Sequence, residues 1–139
     1  MRAMAFDVGL KRIGIAVTDS EMILATPHST LPPQQIGTFL KEYVAQENVI
    51  CFVIGKPLRL DGSASESAGL VKQFAEWLTQ NWPAIPIDYI DERYTSSMAA
   101  DALVASGLKK QDRRNKSLLD STAAALILQT WLSRRENKH

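Results

Sequence analysis

The sequence is poor in the residues that most enzyme classes rely on, and each shortage removes a class of function. It has one cysteine and two histidines in 139 residues. Cys51 cannot close a disulfide within the chain, so a reducing cytosol is its easiest home. Lying inside the apolar run Val49 to Ile54, it reads as a small core residue. With only His28 and His139, a histidine-based hydrolase or a Cys/His zinc site has too few parts. No apolar run approaches the ~20 residues that span a bilayer. Met1 to Phe6 leads directly into Asp7 without a signal-peptide core, so the expectation is a cytoplasmic protein. Internal repeats and low-complexity segments are absent. Aromatic residues make up 7% of the chain, and Trp77, Trp82 and Trp131 fall at predicted helical positions where packing is their ordinary use.

What is present fits one globular domain over residues 1–139, with 45% hydrophobic and 22% charged residues. The net charge of +1 is unevenly spread. Residues 1–92 carry 7 basic and 11 acidic side chains, whereas residues 93–139 carry 9 and 4, so positive charge collects toward the end.

Met4 to Val8 and Ile13 to Thr18 are short apolar runs joined by Gly9-Leu10-Lys11-Arg12, which predicts a β-hairpin. Asp19-Ser20-Glu21 predicts a second turn before a third strand, Met22 to Thr26, after which Pro27 and Pro32-Pro33 break the sheet pattern. Ile36, Phe39, Leu40, Tyr43 and Val44 have helical spacing. Val49 to Ile54 lacks alternation, as a strand covered on both faces does, and Gly55-Lys56-Pro57 ends it. A second helix has its stripe at Leu70 or Val71, Phe74, Ala75 and Leu78 and stops at Trp82-Pro83. A strand over Ile85 to Ile90 follows, then a helix capped at Thr95 or Ser96 and ended by Gly107, a polar loop over 108–116, and a last helix from Leu118 to Leu132. Antiparallel strands followed by αβ alternation predict an α/β fold, a mixed five-stranded sheet flanked by helices, in the order of a ribonuclease H-like domain.

Three carboxylates stand at element ends. Asp7 closes the first strand, Glu92 follows the strand ending near Asp91, and Asp120 opens the last helix. Brought together they form the oxygen-rich cluster that binds Mg²⁺ or Mn²⁺ and supports attack on a phosphodiester. Each has an ordinary local alternative: Asp7 as an acid beside a glycine turn, Glu92 as a solvated partner of Arg93, and Asp120 with Ser117 as a capping box. Asp120 nevertheless shares a helical stripe with Ala124, Ile127 and Trp131 that should pack on the sheet, where a carboxylate needs a partner. Asp7 shares a strand face with Ala3 and Ala5, small residues that leave room for a helix or ions. Lys109, Lys110, Arg113, Arg114 and Lys116 crowd one loop, with Lys11, Arg12, Lys56, Arg59 and Arg93 near other strand ends, a pattern that suits phosphate binding or a solvated surface. Arg134, Arg135 and Lys138 read as helix C-terminal charges. Gly9 and Gly14 have a phosphate-loop spacing without the Lys-Ser/Thr and helix of a Walker NTPase.

Phe6-Asp7-Val8-Gly9-Leu10-Lys11-Arg12-Ile13-Gly14-Ile15-Ala16-Val17, Ile54-Gly55-Lys56-Pro57-Leu58 with Asp61-Gly62-Ser63, Asp91-Glu92-Arg93-Tyr94-Thr95-Ser96, and Lys116 through Asp120 to Ala125 resemble the YqgF/RuvX family in order and spacing over nearly the whole chain. The resemblance implies a ribonuclease H-like fold related to the RuvC resolvases and a nuclease that matures the 5′ end of pre-16S ribosomal RNA. It also implies a catalytic and metal-binding set of Asp7, Glu92 and Asp120 with Mg²⁺ or Mn²⁺. Lys56 and Tyr94 stand where the family commonly has an apolar residue and Leu, and the last helix offers one acid where RuvC-like resolvases typically have two. The expected partners are structured RNA, in a ribosomal precursor particle, or branched DNA, and the expected state is monomer or homodimer. The rival functions are a four-way DNA junction resolvase, which needs a dimer, and a non-catalytic RNA-binding assembly factor. Asp7-x-Gly9 also resembles the phosphate loop of actin-like sugar kinases, a fold of two such domains where this chain has length for one.

Overall fold

The computed structural model describes residues 1–57, 68–91 and 116–136. Its elements are β1 (Arg2–Val8), β2 (Ile13–Thr18), β3 (Ala25–Leu31), α1 (Pro33–Gln46), β4 (Val49–Lys56), α2 (Ala68–Asn81), β5 (Ile87–Asp91) and α3 (Lys116–Glu136). The strands form one mixed sheet in the order β3-β2-β1-β4-β5. β1, β2 and β3 pair antiparallel, whereas β4 runs parallel to both β1 and β5. The C-terminal ends of β1, β4 and β5 therefore share one edge of the sheet, where Asp7, Lys56 and Asp91 lie. The predicted helix at 95–107, the loop of Asp61-Gly62-Ser63 and the polar loop before Lys116 fall outside the described residues.

Alternation along β1 separates two cores. Met4 and Phe6 point toward α1 and α2 and pack with Ile15, Leu40, Phe52, Phe74 and Leu78. Phe6 meets Phe74 edge-on with ring centroids 5.0 Å apart and is fully buried, a burial worth about 2–3 kcal/mol. Ala3 and Ala5 point the other way and pack with Ala16, Ala124, Ile127, Leu128 and Trp131 of α3. Because the strand residues on this face are small, α3 can lie close to the sheet, while the bulky side chains stay on the opposite face. Val53 and Phe52 belong to different cores, as expected of a strand covered on both sides.

Three boundaries differ from the sequence expectation for physical reasons. β3 begins at Ala25 and runs through Pro27 to Leu31. It is an edge strand, and its pairing shifts from Ile15↔Ser29 to Ala16↔Pro27, so the proline sits at an irregularity where a missing N–H costs little. Met22 instead takes a left-handed φ of 58° in the preceding turn, where the Asp19 carboxylate accepts hydrogen bonds from the Ile23 and Leu24 N–H groups. Those backbone donors hold the Asp19 carboxyl below its ordinary range. β5 is shorter than expected, starting at Ile87; α2 ends at Asn81, directly before the expected stop at Trp82-Pro83, so Trp82 lies just beyond the helix instead of on it. α3 starts earlier than expected, at Lys116, so Ser117 is a helical residue and not the residue that precedes the helix.

The irregularity in β3 leaves His28 without a paired residue and sets its ring against Phe39 and Tyr43 of α1, at centroid distances of 5.2 and 5.7 Å. Desolvation lowers its pKa from the ordinary 6.5. The unfolded chain then binds more protons than the folded one at mildly acidic pH. The stabilisation is complete above about pH 6.5 and is lost as pH falls through the lowered folded value. His28→Phe keeps the ring and removes the titration, so its melting temperature should drop less than that of the wild type between about pH 7.5 and 5.5. Equal drops in thermal melts would refute this role. Cys51 is buried, and its thiol is pushed up to about 12 by burial first and then by the nearby Asp88 carboxylate. It is therefore an inert core thiol, as the sequence suggested.

Candidate active site

The site is built from the first hairpin and the start of α3. β1 carries Asp7 on the same face as Ala3 and Ala5, and the antiparallel register places Asp7 directly across from Gly14. The chain then turns through Gly9 to Arg12, with the Gly9 N–H donating to the Arg12 carbonyl at 2.9 Å. A Cβ on Gly9 would lie 2.8 Å from that carbonyl oxygen, so the turn needs a glycine there.

Gly14 does more for the site than its place in an apolar run suggests. A Cβ built on it would stand 2.3 Å from the Asp120 carbonyl oxygen, 2.5 Å from the Asp120 carbonyl carbon and 3.0 Å from the Ser121 nitrogen. α3 thus rests its backbone on the bare strand at this residue, and Asp120 comes down beside the residue opposite Asp7. The signal was in the sequence, since a glycine inside a strand marks close approach of another backbone.

Asp7 and Asp120, 113 positions apart in sequence, line one open hollow of about 330 Å³ together with Gly9, Leu10, Lys11 and Arg12. The partner that Asp120 needs on its half-buried face is Arg12, whose Nε donates to Oδ2 across 2.9 Å. Further along the same stripe, Ala124, Ile127 and Trp131 are buried as expected. The Trp131 Nε1–H donates to Asp88 of β5 at 2.8 Å, and Arg135 covers the same indole at 5.0 Å. These contacts and the hydrogen bond from Ala25 N–H to Gln129 tie α3 to both edges of the sheet. The helix that carries Asp120 is therefore held along its length.

Of the residues singled out from sequence, Asp7, Asp120, Lys11 and Arg12 meet in the hollow. Lys116 opens α3. Glu92, Arg93, Lys109, Lys110, Arg113 and Arg114 fall outside the described residues, as does Arg59. Lys56 ends β4 on the same sheet edge, with Nζ 5.8 Å from the Tyr89 ring. A larger hollow of about 770 Å³ beside α2 and β5 mixes apolar residues such as Val71, Ala75 and Ile87 with Lys56 and Lys72, and among the described residues that line it Glu76 is the single acid. The chemistry favours the smaller one.

The donor set fits a hard divalent cation, because two acidic residues line one solvent-open space in which Gly9 adds no bulk. Among the described residues no group of three or more His, Cys, Asp or Glu side chains forms a metal cluster. Among them, too, no helix is long and apolar enough to cross a membrane.

Comparison with known proteins gives the family and the fold. Residues 1–134 match the family described as "RuvX: Holliday junction resolvase". A protein of Amoebophilus asiaticus named "Putative pre-16S rRNA nuclease" is 46% identical over 132 residues, covering 95% of this chain and 94% of its own length. Proteins with the same name from Porphyromonas gingivalis and Bacteroides thetaiotaomicron are 43% and 40% identical over 131 residues, each covering 94% of this chain and 95% of theirs. Among solved structures, Thermus thermophilus RuvC in complex with a Holliday junction substrate aligns with a TM-score of 0.61 at 15% identity, over 99% of this chain and 96% of that one. The Fowlpox virus resolvase complexed with Holliday junction DNA aligns with a TM-score of 0.62 at 11% identity, over 97% and 99%. At such identities the likeness shows the fold, and that fold is ribonuclease H-like.

Proposed function

The chain belongs to the RuvX family, and from that premise we propose that it is a metal-dependent nuclease of structured RNA, acting in maturation of the 5′ end of pre-16S ribosomal RNA. The observation that carries the chemistry is the meeting of Asp7 and Asp120 in one solvent-open hollow beside a basic turn. The observation that favours RNA is the name shared by relatives up to 46% identical over almost the full chain.

Asp7 and Asp120 are the proposed ligands of Mg²⁺ or Mn²⁺, with Glu92 completing the set or orienting the attacking water. A divalent ion held there supplies a Lewis acid for the phosphoryl oxygens and lowers the pKa of water, which removes the need for a histidine base. Lys11 and Arg12, on the rim of the hollow, and Arg93, Lys109, Lys110, Arg113, Arg114 and Lys116 are the proposed phosphate contacts. A cytoplasmic location suits the free, buried Cys51, and a ribosomal precursor particle is the proposed setting.

The family's description and the solved resolvases favour a second reading, cleavage of four-way DNA junctions. An end-labelled precursor-rRNA fragment and a DNA four-way junction, each incubated with the protein in Mn²⁺, Mg²⁺ or EDTA, separate the readings. The expected result is cutting of the RNA in either metal and none in EDTA. Cutting of the junction alone would replace the RNA nuclease with a resolvase. Binding of RNA without cutting under every condition would replace both with a non-catalytic assembly factor.

A further inference from the structure

Arg12 holds a carboxylate that the proposed function gives to a cation, and the two uses of Asp120 compete. The guanidinium Nε lies 2.9 Å from Asp120 Oδ2, and both side chains line the hollow that Asp7 also faces. An ion that draws on the Oδ2 lone pair taken by the guanidinium displaces the N–H donor, and an ion on any other lone pair of the carboxylate sits within a few ångströms of a full positive charge that opposes it.

Two features make displacement feasible. The Arg12 backbone is pinned by the hydrogen bond from Gly9 N–H to its carbonyl, so the hairpin stays in place while the side chain moves. The side chains of Arg12 and Asp120 are 37% and 26% exposed, so water reaches both groups and can take the place of the carboxylate on the guanidinium. In the ion-free protein the same pair offsets the negative charge that accumulates when two carboxylates are brought into one hollow.

We infer that Arg12 is a resident counter-ion of the site, which a divalent cation displaces from Asp120, so that metal affinity is set by competition with the guanidinium. The displaced side chain remains anchored at the rim beside Lys11, facing the space where a phosphate would lie. This inference rests on Asp7 and Asp120 being the metal ligands and concerns what regulates their occupancy.

Calorimetric titration of the metal-free full chain with Mn²⁺ alone, without nucleic acid, tests it. Arg12→Gln should bind Mn²⁺ about tenfold tighter than the wild type, because one nearby positive charge and one competing donor are removed. Arg12→Lys, which keeps the charge, should stay within about threefold of the wild type. Lys11→Gln removes the same charge from the same turn, where Lys11 makes no ion pair with Asp120, and should gain no more than about twofold. Asp120→Asn should bind far more weakly than any of these. A wild type that binds no Mn²⁺ beside an Arg12→Gln that does would support the exchange in its strongest form. Equal or weaker binding by Arg12→Gln, with binding still lost in Asp120→Asn, would overturn the exchange and leave the metal site standing. Absence of Mn²⁺ binding in every variant would overturn both.

Discussion

Asp7→Asn should lose at least about 10³-fold in metal-dependent cleavage, roughly 4 kcal/mol of transition-state stabilisation, while the protein remains folded. The loss follows from what Asn cannot do. It keeps the shape of Asp and so keeps the strand, but it has a single carbonyl oxygen and no charge to hold a hard cation. The fold should survive because Asp7 is the penultimate residue of β1, outside the cluster of Met4, Phe6, Ile15 and Phe52 and beyond the alanines that support α3. Asp120→Asn should behave similarly in cleavage. The double variant should be little worse than either single one, since two ligands of one ion act as a unit. The assay is cleavage of labelled RNA in Mn²⁺, with Mn²⁺ calorimetry and thermal melts run on the same preparations. Unchanged metal-dependent cleavage by Asp7→Asn would remove the residue from the site. A parallel collapse of the melting transition would mean that the carboxylate is structural.

The sequence revealed the residues of this site more readily than their relations. Asp7 was marked by the end of an apolar run beside a glycine, and Asp120 by a helical stripe of Ala124, Ile127 and Trp131 that proved buried. Both signals are periodic and local. The contact between Arg12 and Asp120 spans 108 positions and depends on how α3 crosses the first hairpin, which no local pattern encodes. Local pattern even pointed elsewhere, to a helix start at Ser117, whereas α3 already begins at Lys116.

The same distinction explains the elements. β1, β2 and the cores of β4 and α2 were legible because their hydrophobic period matches the side they bury, and the structure chooses Val71 over Leu70 for the α2 stripe. β3 was displaced because the proline rule assumes a central strand, whereas an edge strand at an irregular pairing tolerates Pro27. β5 was overextended because Ile85 continues the apolar run but belongs to the turn that follows Trp82, whose carbonyl accepts its N–H at 3.1 Å. Glu92 and the basic loop remain proposals read from sequence and family.

Gly14→Ala should be the most damaging conservative change in the hairpin. The added methyl would fall 2.3 Å from a carbonyl oxygen and 2.5 Å from its carbon, both backbone atoms of the helix that carries Asp120, so no side-chain rotation can relieve the clash. Either α3 lifts or β2 bends, at an overpacking cost of about 1–3 kcal/mol. Lifting α3 by about an ångström moves one carboxylate away from the other, which is enough to cost on the order of 10²-fold in rate. Gly37→Ala provides the contrast, because its Cβ would meet the Trp77 ring at an ordinary 3.5 Å inside α1, where alanine is the better helix former by about 1 kcal/mol. Thermal melts should therefore shift in opposite directions for the two substitutions, with cleavage lost only in Gly14→Ala. Wild-type stability and cleavage in Gly14→Ala would mean that α3 does not rest on β2 as described, and the meeting of Asp7 with Asp120 would lose its structural basis.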